Sequence, residues 1–115
     1  RVWDIGSVVI KDRKLMSGDG ILITILNINT LTRKLLLKPN VTARGFVLVN
    51  ENQELMHQIE KKIAEVVNNF LAKGPYTYTD LKNQIILELL PFINNLTGRK
   101  PIILPVIMEV NQANN

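Results

Sequence analysis

The chain has 115 residues, 46% of them hydrophobic, with a formal net charge of +4 and a pI of about 9.6. This length supports one compact domain with a single core and is too short for two ordinary domains. A sequence without cysteine excludes disulfides and thiolate metal sites, and no apolar run approaches the roughly 20 residues that a transmembrane helix needs. We expect a cytoplasmic protein. Because the chain starts at Arg1 rather than Met, we also expect a piece of something longer.

The basic charge has two explanations. The 14 Lys and Arg residues outnumber the 10 Asp and Glu residues, but they are scattered along the chain. A nucleic-acid partner would favour such a balance, and an ordinary solvated surface explains it at least as well.

The first 20 residues are predicted to form an entry arm. Asp4 or Ser7 can cap a short helix that ends at Gly18 and Gly20. The β-branched residues Val8–Ile10 favour a strand instead, and we prefer the helix. The glycines resemble a phosphate-binding turn only superficially, because no strand precedes them, so we interpret them as a helix stop.

Three strands are predicted next. Ile21–Ile28 is apolar and rich in β-branched residues, and Lys34–Leu37 can return as its hairpin partner after a turn. The chain then rejoins the sheet over Val41–Val49, with Phe46–Val49 as the core strand around which the fold is organised. Gly45 indicates a bulge or a close backbone approach.

A long amphipathic helix follows, with Asn52 as N-cap, Glu54 in its first turn and an end at Lys73–Gly74. Its apolar stripe is predicted to comprise Leu55, Ile59, Ile63, Val66, Val67 and Phe70.

A second helix is predicted from an N-cap at Thr79, with Asp80 in the first turn. Pro91 removes the hydrogen bond to the carbonyl of Leu87, so we expect a kink or a restart there. Its apolar stripe is predicted to comprise Leu81, Ile85, Leu89, Phe92, Ile93 and Leu96.

The last apolar segment, IILPVIMEV at 102–110, is predicted to be a strand. Proline cannot donate to a sheet ladder, so Pro105 requires a sheet edge or a bulge. The element order β-β-β-α-α-β predicts an α+β fold, with a small mixed sheet of three to four strands and two helices packed on one face.

Several segments then resemble one known family in the same order and at the same spacing. These are DIGSVVIKDRKLMSGDGILI at 4–23, ARGFV at 43–47, Leu81-Lys82-Asn83, Thr97–Pro101 and RKPIILPVIMEV at 99–110. Together they are similar to the C-terminal region of the ribonuclease J family. Two positions depart from the family pattern: Pro91 replaces a helix-compatible polar residue, and Arg33 lies where a glycine is common in the hairpin turn.

The resemblance implies a fragment of a larger enzyme. Members of this family are two-metal hydrolases of the metallo-β-lactamase and β-CASP type that degrade and process RNA, with their zinc ligands upstream of this region. It implies a linker arm at 1–19, a C-terminal domain at 20–110 and a disordered tail at 111–115. It also implies homodimer or tetramer assembly, contact with the parent's catalytic domain, and RNA binding through the parent, with no membrane partner.

No catalytic or metal-binding residue is predicted in the chain itself. His57 is the single histidine and lies off the apolar stripe of its helix, so we expect it to face solvent. The carboxylates are spread over separate elements without a histidine partner. We therefore expect no cofactor in this fragment and zinc in the parent only.

Two functions remain in the sequence reading, and we prefer the first. An assembly module would use an apolar edge formed by Ile102, Ile103, Leu104, Val106, Ile107 and Met108, with exposed parts of the hairpin. An auxiliary RNA-binding surface would contact phosphates through Arg44, Lys61, Lys62, Arg99 and Lys100.

Overall fold

The structure is a computed structural model that describes residues 19–45 and 53–111. It contains strands β1 (Ile21–Asn29), β2 (Lys34–Leu35) and β3 (Asn40–Arg44), helices α1 (Gln53–Leu71) and α2 (Tyr78–Thr97), and strand β4 (Ile102–Val110). The predicted α+β class and element order are confirmed. Residues 1–18 of the predicted arm, the Phe46–Val49 strand and the Asn52 cap lie outside the described residues.

The sheet is mixed and is built around β1. β4 runs parallel to β1 along its whole length, from Ile21↔Ile102 to Asn29↔Val110, whereas β2 and β3 run antiparallel to it. Because β4 occupies one side of β1 completely, β2 and β3 follow one another on the other side, which makes the sheet three strands wide. Among the described strands, the central position therefore belongs to β1.

The hairpin between β1 and β2 has an unusual turn residue. Arg33 has φ 56°, a left-handed conformation that glycine adopts most readily. Its N–H donates to the Asn29 carbonyl (2.8 Å), and the Asn29 side chain accepts from the N–H of Leu31 (3.0 Å). The turn is thus formed here by an arginine whose backbone is held in place by Asn29.

Gly20 and Gly45 lie where two backbone segments approach each other closely, at the lower end of the sheet, where β1 and β4 begin. A Cβ atom on Gly20 would lie 2.3 Å from the Arg44 carbonyl oxygen, and one on Gly45 would lie 3.0 Å from the Gly20 Cα. Both glycines have positive φ values, of 83° and 74°. The approach expected at Gly45 is confirmed.

The two helices cover one face of the sheet. The apolar residues on α1 recur at helical spacing, and its most buried members are Ile59, Ile63, Val66, Val67 and Leu71. On α2 they are Leu81, Ile85, Leu89 and Ile93. These side chains pack against the buried β1 residues Leu22, Leu26 and Ile28 and form one core.

The structure corrects the predicted N-cap of α2 and excludes one of the two alternatives expected at Pro91. The helix starts one half-turn earlier than predicted, with Thr77 as N-cap, because the Thr77 hydroxyl accepts a hydrogen bond from the N–H of Asp80 (3.1 Å). The helix also continues through Pro91 without a restart. Pro91 is exposed, so solvent can reach the Leu87 carbonyl that loses its partner, and that lowers the cost of a proline there.

Candidate interaction surfaces

The predicted assembly edge is divided between the two faces of the sheet. Ile103 and Ile107 point toward the helices and are only 4% and 3% exposed. Their even-numbered neighbours on β4 point to the opposite face, as alternation along a strand requires. The side chains of Ile103 and Ile107 therefore belong to the core, and within the predicted edge only the other four side chains lie on the opposite face.

The face of the sheet opposite the helices carries an apolar surface, which we call the outer face. Cross-strand pairs place Ile23 beside Leu104 and Ile25 beside Val106, with Met108 next along β4. Ile25 is 38% exposed and Met108 is 51% exposed, and the other three are half-buried. None of the five carries a charge. The alternation of β1 would have identified Ile23 and Ile25, but an almost continuous apolar run conceals that alternation.

The side of β4 that faces away from β1 contacts two tyrosines, which we call the tyrosine clasp: Tyr76, in the loop between the helices, and Tyr78, the first residue of α2. The Tyr78 hydroxyl donates to the Ile107 carbonyl (2.5 Å), and the Tyr76 hydroxyl donates to the Glu109 carboxylate (2.5 Å). Burial, the hydrogen bond to Glu109 and the negative charge of Glu109 raise the pKa of Tyr76 to about 12. The clasp thus joins the start of α2 to the end of β4.

The structure brings only some of the predicted phosphate-binding residues together. Arg44 lies opposite Ile21 at the lower end of the sheet. Arg99 and Lys100 are held there as well, because the Asp19 carboxylate accepts the Lys100 N–H (3.0 Å) and lies 3.9 Å from the Arg99 guanidinium.

The remaining two cations, Lys61 and Lys62, lie on α1. Lys62 lies 3.7 Å from the Glu65 carboxylate and over the ring of Phe92, whereas Lys61 is exposed. The basic residues therefore form a group of three at the lower end and a separate pair on the helix.

The described residues offer no candidate metal centre. Over 19–45 and 53–111, no group of three or more His, Cys, Asp or Glu side chains could hold a metal ion. His57 is exposed on α1, as expected. Neither of the two described helices is long and apolar enough to cross a membrane.

The fold and these surfaces define a small α+β domain with an apolar outer face and a basic lower end. A family model for the ribonuclease J C-terminal domain matches residues 8–110, so the chain belongs to that family. It is similar to proteins named ribonuclease J 2 from Streptococcus pyogenes serotype M3 (33% identity), Staphylococcus epidermidis RP62A (31%) and Staphylococcus aureus NCTC 8325 (30%). Each match covers 95% of this chain and 20% of the relative, so the chain spans about a fifth of their length.

Proposed function

We propose that the chain is the non-catalytic C-terminal domain of a ribonuclease J-like enzyme that degrades and processes RNA, and that it supports assembly and full activity of that parent. The outer face is the observation that carries this proposal. Ile25 and Met108 expose apolar side chains next to Ile23, Leu104 and Val106 on a sheet face that neither described helix packs against. Exposed apolar patches of this kind are typical of interaction sites.

The area of the outer face is small for a protein interface and favours a contact that includes further surface. The whole sheet face, with nine residues at about 3.3 Å each and three strands at about 4.8 Å, sets an upper limit of roughly 400 Å² for the outer face. A standard interface buries about 800 Å² per partner. The outer face alone is too small for a stable free dimer, so it acts together with further surface or against a body in the same polypeptide, where the effective concentration is high.

The exposed hairpin can supply part of that further surface. Leu31 is 58% exposed in the hairpin turn, and Leu37 is 66% exposed between β2 and β3. Both are apolar side chains on connections, where they contribute little to the core. We therefore include them in the contact with another subunit or with the parent's catalytic domain.

Catalysis in this proposal belongs to the upstream part of the parent. The relatives are named ribonucleases, and the chain matches only a fifth of their length. The described residues lack a group of side chains suited to bind zinc. In this proposal the zinc implied for the family binds in the catalytic domain. The parent is proposed to be a cytoplasmic enzyme. This domain would then act on activity only through assembly.

Substitution of Met108 tests the assembly role. In the full-length parent, Met108→Lys places a charge on the outer face, and we expect sedimentation velocity to show at least a tenfold weaker association, with a parallel loss of RNA degradation. Leu87→Lys is the matched control, because Leu87 is 68% exposed but lies on α2, away from the outer face. Unchanged association in Met108→Lys, or equal weakening in both variants, would refute the role.

A second candidate function is auxiliary binding of the RNA backbone, which the grouping of Arg44, Arg99 and Lys100 at one end favours. Phosphate contacts release counterions, so such binding weakens steeply with salt. Fluorescence anisotropy with single-stranded RNA at two salt concentrations tests it. Lys100→Ala should reduce the number of counterions released on binding by about one, as read from the slope of affinity against salt concentration. Lys61→Ala on α1 should leave that number unchanged.

A further inference from the structure

The direction of the backbone groups along β4 identifies the edge with which no other described strand pairs. The N–H of Ile102 donates to the Gly20 carbonyl (3.0 Å), and the Val110 carbonyl accepts from the N–H of Thr30 (2.9 Å). In a parallel ladder, residues of the same parity direct their backbone groups to the same neighbour. The even-numbered residues of β4 therefore pair with β1, and the odd-numbered residues, Ile103, Pro105, Ile107 and Glu109, direct theirs away from the sheet.

Two of these four outward-facing residues cannot pair fully with an added strand. Pro105 has no N–H, and its position in register with Thr24 places the missing donor on the free side. The carbonyl of Ile107 already accepts from the Tyr78 hydroxyl, so an incoming N–H would have to displace that bond. The two residues are neighbours on the edge, and together they interrupt it at its middle.

Sheet edges with a continuous row of free backbone groups invite pairing with another chain, and proline is one of the means by which proteins prevent it. Here the side chains of Ile103 and Ile107 are also buried, so the edge offers a new strand little apolar surface on the helix side. Of the four outward-facing residues, only Ile103 and Glu109 keep both a backbone N–H and a backbone carbonyl for an added strand. They lie on opposite sides of the interruption at Pro105 and Ile107.

We propose that Pro105 and Tyr78 close the described β4 edge against strand addition by a second copy of this chain. The closed edge stands independently of any assembly.

Hydrogen exchange of single amides tests the closed edge directly. In the wild-type chain, the amides of Ile103 and Ile107 face outward, and we expect their exchange rates, measured by nuclear magnetic resonance, to stay the same as protein concentration rises. In the double variant Pro105→Val with Tyr78→Phe, we expect these rates to fall at least tenfold with rising concentration, because backbone pairs with a second copy then form.

A matched double variant isolates the contribution of Tyr78. Tyr76→Phe with Pro105→Val removes a nearby tyrosine hydroxyl that donates to the Glu109 side chain. In this variant the Tyr78 hydroxyl still donates to the Ile107 carbonyl. We expect it to show a smaller concentration dependence than the variant that carries Tyr78→Phe. Equal behaviour of the two double variants would overturn the role of Tyr78.

The wild-type measurement is decisive even if the double variants do not fold. Slowed exchange of the Ile103 and Ile107 amides as the wild-type chain associates would show an open edge and overturn the proposal. The proposed assembly function fails by a different result, the insensitivity of the parent's association to Met108→Lys. The two failures are therefore distinguishable.

Discussion

The two faces of the sheet are made of the same kinds of residue but have different environments. On the helix side, Leu22, Leu26 and Ile28 are completely buried, whereas Ile25 and Met108 on the outer face remain 38% and 51% exposed. Burial of an aliphatic side chain contributes about 1.5–3 kcal/mol to folding. The helix side therefore holds the fold together, and the outer face retains apolar surface that folding does not use.

The largest expected difference between the faces is in stability. Leu26→Ala removes a fully buried side chain and should lower the free energy of unfolding by about 2–5 kcal/mol. Leu104→Ala, on the half-buried outer face, should lower it by about 1 kcal/mol. Urea denaturation of both variants measures the contrast, and equal losses would mean that the outer face also stabilises the fold.

A smaller effect of opposite sign is expected from Thr24. Its side chain is 0% exposed on the helix side, and its hydroxyl has no hydrogen-bond partner among the described residues. Thr24→Val keeps the shape and removes an unsatisfied polar atom, so it should stabilise the chain by about 1 kcal/mol in the same denaturation experiment. Destabilisation by this substitution would indicate a partner for the hydroxyl and a less apolar helix side.

The smallest stability effect concerns the upper end of the sheet, where Tyr76 packs against the core and bonds Glu109. The pKa of Tyr76 is raised from 10 to about 12, so the folded state holds the phenolic proton more tightly than the unfolded state. The resulting stability is fully present below pH 10 and is lost as the pH rises to about 12.

Tyr76→Phe checks this dependence. The difference in free energy of unfolding between the wild type and the variant should be constant below pH 10 and should shrink between pH 10 and about 12. A pH-independent difference would contradict the raised pKa.

Much of the fold follows from local patterns in the sequence. The β1 strand is a β-branched apolar run, and the buried stripes of α1 and α2 follow helical spacing, so both can be recognised without tertiary information. Pro105 indicated an edge because the proline nitrogen cannot donate, and β4 indeed pairs only with β1 among the described strands. The Thr77 cap also had a local signal, a threonine three residues before Asp80, which the competing Thr79 obscured.

The interaction surfaces could be predicted only in part. The division of β4 between core and outer face depends on its register with β1, and a continuous apolar strand does not reveal that register. The contact of Tyr78 with Ile107 joins residues 29 apart, so no local pattern indicates it. The restart considered at Pro91 does not occur, because the tolerance of this proline depends on its exposure on the solvent side of α2, which no local pattern reveals.

The central claim is that the outer face is covered in the assembled parent, and methionine oxidation tests it most directly. Met108 is 51% exposed on the outer face, and Met56 on α1 packs half-buried against the core as an internal control. With peroxide and mass spectrometry, we expect Met108 to be oxidised several-fold more slowly in the full-length parent than in this chain, while Met56 keeps its rate. Equal oxidation of Met108 in both proteins would contradict the claim.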